Sequence, residues 1–324
     1  MNMNLKKLVM VLSTGRAGTK YLCDFLRNQR LLAFHQELHG YIPTSEYYEI
    51  SIKQANNWFK NVSSYDDEVL TLVKDYVENV LNIMNGNRLL CNFYSGSPKD
   101  SPHKKYNIFR ETLNYPFSIS NKIVLDCNNG ISPIFDQISV LCNSLEIDNY
   151  FIILFRNPIK MIHAIYKIES TYNFSMRPNE FKENKTGYVA AANIWKNTYS
   201  MFLQKLADSV NKKCLLLNIE NLNKDHSSIL PLFDFLGENF NGDIANRRQD
   251  KIVSKRGFRS FKDPNDIRNS DLYVDKSFYF SQKEIDQILP IILDTADKMK
   301  IDVKESADEY LEFHRNEKEK IGFV

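Results

Sequence analysis

Four short stretches carry residues whose types and spacing suit chemistry. The first is "STGRAGTK", residues 13–20. It puts Gly15, Arg16, Ala17, Gly18, Thr19 and Lys20 in one compact basic turn. Backbone N–H groups and hydroxyls converging where a helix opens hold an anion, and the helix dipole favours negative charge there. The second is "LFRNPIK", in which Arg156 precedes Asn157 and Pro158. The planar guanidinium fork suits a phosphate, while Asn then Pro suits the cap and first position of a helix. The third is the basic loop "IVSKRGFRSF", residues 252–261, with Lys255, Arg256 and Gly257. The fourth is "AFHQELHG", residues 33–40. His35 and Glu37 stand two apart there, so both face one side of an extended segment. Either is the kind of group that takes a proton from a hydroxyl or amine.

Most of these stretches follow compact apolar runs. The runs 8–12, 122–127, 150–155 and 214–219 are short and continuous, as in strands buried on both faces of a parallel sheet. Helical spacing alternates with them at 48–60, 67–84, 131–145, 160–169, 189–206 and 228–236. Leu22, Phe25 and Leu26 share a helix face directly after the first turn. This order predicts an α/β fold with right-handed crossovers. Residues 281–298 read as a helix interrupted at Pro290, and 304–320 as a solvated helix. The polar segments 85–121 and 171–187 read as lids or inserts on a single domain spanning 1–324.

Composition bounds the function. With 43% apolar residues the 324-residue chain supports a sizeable core. A net charge of +2 gives no global basic field for nucleic acid or a membrane surface, so any anion site is local. Cys23, Cys91, Cys127, Cys142 and Cys214 show no CxxC spacing, which predicts buried free thiols in a reducing compartment and no zinc site. Lys6 and Lys7 before an apolar run imitate a signal peptide, but the run is short and leads into the glycine turn. No stretch approaches membrane-spanning length. The expectation is a cytoplasmic protein without a membrane span.

The turn is not the P-loop of nucleotide hydrolases. Gly15 and Gly18 are too close, Lys20 comes one residue late, and Tyr21 stands where a hydroxyl would hold Mg²⁺. The dinucleotide fingerprint G-x-G-x-x-G fails as well. Instead, residues 13–26 resemble the 5′-phosphosulfate loop of sulfotransferases, and "GRAGTKYL" matches that loop position by position. The resemblance implies that Arg16 touches the transferring sulfuryl group. It puts Gly15, Ala17, Gly18, Thr19 and Lys20 in the cradle, with Lys20 replacing a usual hydroxyl. The strand–Arg-x-Pro–helix unit is similar to the family's second signature, which assigns Arg156 to the 3′-phosphate of the donor. The family has a Ser eight residues after that Arg; this chain has Ala164, beside His163. Lys255, Arg256 and Gly257 resemble the segment that closes over the same phosphate.

The family's acceptor end gives Glu37 as first choice for the base and His35 as second. Asp126 and Asn128 read as binders of acceptor hydroxyls or as helix caps. "CLLLNIENLNKD", with Glu220 and Leu222, "AANIWKNTY", with Trp195, and "LPLFDFLGENF" resemble later family segments. The resemblance thus implies a bacterial-type sulfotransferase with a three-layer α/β sandwich, a central parallel sheet and a P-loop-like phosphosulfate-binding strand–loop–helix. It also implies 3′-phosphoadenosine 5′-phosphosulfate (PAPS) as donor, a small-molecule or glycan acceptor, and no metal. The residues leave two alternatives open. One is a P-loop-like small-molecule kinase. The other is a non-catalytic nucleotide-binding protein of the same fold, kept in view by Ala164.

Overall fold

A computed structural model describes residues 6–14, 17–29, 31–34, 123–127, 135–172, 187–207, 213–223, 229–240 and 279–320. The chain divides into two compact units. One comprises Met1–Leu12, Thr19–Ile153 and Lys213–Leu215; the other comprises Ser13–Gly18, Leu154–Lys212 and Leu216–Val324.

Five strands form one sheet. They are β1 (Lys6–Leu12), β2 (Leu32–Phe34), β3 (Ile123–Asp126), β4 (Ile147–Phe155) and β5 (Cys214–Asn218), in the order β2-β3-β1-β4-β5. β1 pairs in parallel with β3 and β4, and β2 pairs in parallel with β3. Leu8 to Leu12, all of β3, and Phe151 to Phe155 are buried, as continuous apolar runs require in a parallel sheet. β5 departs from that expectation. Cys214 and Leu216, two apart and so on one face of the strand, are exposed, while Leu217 on the other face is buried. β2 has only three residues, too few for any period to show in the sequence.

The first unit also holds α1 (Thr19–Asn28) and α2 (Phe135–Ser144). α1 buries Leu22, Cys23, Phe25 and Leu26. Arg27 Nε donates to the Ala33 carbonyl at 2.7 Å, tying the helix end to β2. Phe135 of α2 meets Phe151 of β4 edge-on, and Asn149 Nδ2 donates to the Ser139 carbonyl. Cys23, Cys127 and Cys142 are buried. Burial pushes the Cys142 thiol up to about 12, which keeps it protonated and inert.

The second unit is built on α3 (Pro158–Tyr172) and α4 (Gly187–Ala207). α4 buries Ala190, Ala191 and Ala192, whose small side chains allow close helix approach, and then Trp195, Tyr199 and Phe202. It packs against α3 and α6 (Gln282–Lys298). A short 3-10 turn (Ile219–Asn223) follows β5, and α5 (Leu230–Leu236) ends at Gly237 in the left-handed region, φ 74°.

Two sequence expectations need correction here. α6 runs unbroken through Pro290. Pro290 and Asp286 are both exposed, so the carbonyl that loses its helical donor is on the solvent side of the helix. Buried Ile285, Ile288 and Ile292, with a Ser281–Glu284 capping box, hold the helix together. The last helix, α7 (Val303–Lys320), is not solvated all round. It packs on α3 and buries Val303, Ser306, Ala307 and Tyr310. The expected helices 48–60 and 67–84 and the segment 85–121 lie outside the described residues, as do 173–186 of the segment 171–187.

Candidate active site

The register of β1 on β4 fixes which residues meet. The last pair is Leu12 with Ile153. Two positions further on, the chains reach Thr14 and Phe155, and Arg156 comes next. The turn after β1 and the turn after β4 therefore leave the sheet side by side at its carboxyl edge. Open α/β sheets bind ligands at that edge.

Tyr199 of α4 joins the two turns. It is wholly buried, and its hydroxyl donates to the Leu154 carbonyl at 2.7 Å. Burial pushes this hydroxyl far above the ordinary tyrosine range. Hydrogen bonds with Thr14 and the nearby Arg156 charge pull the other way. One protonated phenol thus neighbours a residue of each turn. Trp195 backs it at 4.9 Å between ring centroids.

In the first turn Ser13 and Ala17 are buried and Thr14 is half-buried. Gly18 has φ +94°, a conformation that costs a side-chain-bearing residue strain. A Cβ there would also lie 3.1 Å from Ile219 Cγ1. The glycine is thus required by both the backbone and its neighbour. Thr19, also buried, opens α1. Lys20 sits in the first turn of α1, its side chain outside the described set; Gly15 and Arg16 lie outside the described residues.

The second turn is held more firmly than the sequence indicates. Pro158 is the first residue of α3, and Asn157 caps it, its Oδ1 accepting from the Ile159 and Lys160 N–H groups at 3.0 and 3.2 Å. Asn157 Nδ2 donates to the Ser306 carbonyl at 2.7 Å and to Glu309 Oε2 at 3.2 Å, both on α7. The Asn157 backbone N–H donates to Glu220 Oε2 at 2.9 Å, and Lys160 Nζ donates to Glu220 Oε1 at 3.1 Å. Arg156, half-buried, precedes this anchored peptide.

His163 does not replace the Ser that Ala164 displaces. It is buried, with Nδ1 3.1 Å from the Tyr310 hydroxyl, among the rings of Tyr279 and Phe280. Asp126, at the end of β3, is buried. His35, Glu37, Asn128, Lys255, Arg256 and Gly257 lie outside the described residues.

No family model matches the chain, and no curated protein matches it. Solved structures do, among them three sulfotransferases. The sulfotransferase domain from the Synechococcus PCC 7002 olefin synthase has 16% identity and a TM-score of 0.44, over 75% of this chain and 77% of that one. The sulfotransferase domain from the curacin biosynthetic pathway has 13% identity and a TM-score of 0.45, over 74% and 77%. Sulfotransferase STF9 from Mycobacterium avium has 11% identity and a TM-score of 0.45, over 92% and 78%.

Among the described residues no helix is long and apolar enough to cross a membrane, and no group of three or more His, Cys, Asp or Glu is arranged to hold a metal. Of the features that shape the site, Tyr199, Glu220 and the α7 contacts carried no chemical signal in the sequence. Tyr199 reads there as one more apolar position of a buried helix face. Glu220 was legible only through the family resemblance.

Proposed function

We propose that the protein is a sulfotransferase that moves a sulfuryl group from PAPS to a hydroxyl or amine of a small-molecule or glycan acceptor. One observation carries this reading: the parallel register of β1 on β4 brings the glycine turn after β1 and the Arg156 turn after β4 to one edge of the sheet. Two such features at one sheet edge suit a nucleotide phosphorylated at two places. The groups fit that ligand. Hydroxyls, turn amides and a guanidinium all donate to phosphate or sulfate oxygens.

In this reading Gly15, Ala17, Gly18, Thr19 and Lys20 cradle the 5′-phosphosulfate, and Arg16 lies at the sulfuryl group. Arg156, with Lys255, Arg256 and Gly257, takes the 3′-phosphate. The acceptor oxygen or nitrogen bonds to sulfur as the bridging S–O bond breaks, and its proton passes to Glu37 or His35. Arg16 and the turn amides stabilise charge developing on the leaving group, in the manner of phosphoryl transfer. The chain acts as a single domain in the cytoplasm.

Calorimetry with adenosine 3′,5′-bisphosphate and with Mg²⁺-ATP, followed by transfer of labelled sulfate from PAPS to a panel of glycans, alcohols and amines, tests the proposal. Bisphosphate binding with transfer is expected. Binding without transfer to any acceptor would favour the non-catalytic nucleotide binder that Ala164 keeps open. Binding of Mg²⁺-ATP alone would favour a kinase.

A further inference from the structure

We propose that Glu220 is a positioning residue for the 3′-phosphate site, acting through the Arg156–Asn157 peptide. This inference rests on the sulfotransferase reading of Arg156. Glu220 lies on the 3-10 turn after β5, and both of its oxygens are engaged by protein groups. Oε2 accepts the Asn157 N–H at 2.9 Å and Oε1 accepts Lys160 Nζ at 3.1 Å. The Asn157 nitrogen belongs to the peptide bond that leaves Arg156. Fixing that N–H fixes the plane of the peptide, and hence where the Arg156 side chain departs.

A carboxylate near an anion site is unfavourable unless its charge is taken up. Here Lys160, on the first turn of α3, takes it up. The residue before Glu220 adds a second constraint, because Ile219 abuts Gly18 of the first turn. One 3-10 turn therefore touches both anion-type turns, Gly18 through Ile219 and Asn157 through Glu220. Its own geometry is fixed by Asn218, whose Oδ1 accepts the Glu220 N–H at 3.0 Å. The spacing between two phosphates on one nucleotide is set by covalent bonds, so the two turns must be held at a fixed separation. Among the described residues the 3-10 turn spans them, alongside Tyr199 of α4.

The test compares adenosine 3′,5′-bisphosphate with adenosine 5′-monophosphate, which lacks the 3′-phosphate, by calorimetry on the full chain. Wild type is expected to bind the bisphosphate more tightly. Glu220→Ala should weaken bisphosphate binding about tenfold, the scale of one hydrogen bond to a charged group. It should change monophosphate binding less than about twofold. Glu220→Gln keeps one acceptor for the Asn157 N–H and should recover most of the loss. The double variant Glu220→Ala, Arg156→Ala should bind the bisphosphate no more weakly than Arg156→Ala alone. Equal losses for both nucleotides, no loss, or additive losses would each overturn the positioning role. A wild type that binds both nucleotides equally would overturn the reading of Arg156 itself, and Glu220 with it.

Discussion

Asn157 and Glu220, 63 positions apart in sequence, are joined by a backbone N–H donating to a carboxylate at 2.9 Å. This contact, with the Asn157 cap on α3, anchors the peptide after Arg156. An arginine at the end of a strand gains precision only if the backbone behind it is fixed. Here the strand, the cap and the acid all act on adjacent atoms.

Arg156→Ala should weaken donor binding more than it slows transfer. The 3′-phosphate is remote from the reacting sulfur, so the loss should appear in affinity for adenosine 3′,5′-bisphosphate, by roughly 2–3 kcal/mol. An unchanged affinity by calorimetry would remove Arg156 from the site.

Asn157→Ala removes the α3 cap and both donors to α7 at once. Stability should fall by about 2 kcal/mol in urea unfolding, the upper range for a lost cap. Asn157→Ser keeps a capping oxygen and loses the reach to Ser306, so its cost should fall between wild type and alanine. A serine variant as damaged as alanine would show that the α7 contacts, not the cap, dominate.

Gly18→Ala forces a side chain into a left-handed turn, at a cost of about 1–2 kcal/mol before the contact with Ile219 is counted. Bisphosphate binding should weaken with it, because the turn must rearrange. Adding Ile219→Ala should relieve the contact but leave the backbone strain. Wild-type stability for Gly18→Ala would contradict the observed φ.

For the chemical step, Arg16→Ala should abolish transfer while thermal unfolding stays near wild type. Glu37→Gln should lower transfer by about 10²–10⁴-fold with bisphosphate affinity unchanged, as for loss of a general base. His35→Ala should cost much less. The opposite order in single-turnover rates would hand the role to the histidine.

Stability should decline in alkali. Burial raises the Cys142 thiol from 9.0 to about 12, and raises Tyr199 and Tyr310 above their ordinary 10.0. The folded protein then keeps protons that the unfolded chain releases. That contribution is whole below pH 9 and is lost as pH rises, first through the thiol and above pH 10 through the phenols as well. Each pH step in that window removes up to about 1.4 kcal/mol per group. Urea midpoints measured from about pH 8 to about pH 11 should fall, and Tyr310→Phe should flatten the upper limb. A flat profile would mean that these groups ionise freely in the fold.

What the sequence determined by itself was local. β1 and β4 follow from continuous apolar runs, and the start of α3 follows from Asn157 and Pro158, because cap and proline act within one helical turn. The glycine turn after β1 is legible for the same reason. The tertiary structure decided the rest. A buried face in a sequence announces that something covers it but not what. Tyr199 carries no mark that it will reach Thr14 and the Leu154 carbonyl, 45 positions away. The Asn157 side chain meets Ser306 across 149 positions, and the helix that brings Ser306 there hides Val303, Ala307 and Tyr310 among charged neighbours. Such contacts depend on strand register and helix packing, which are settled only when the whole core closes at once.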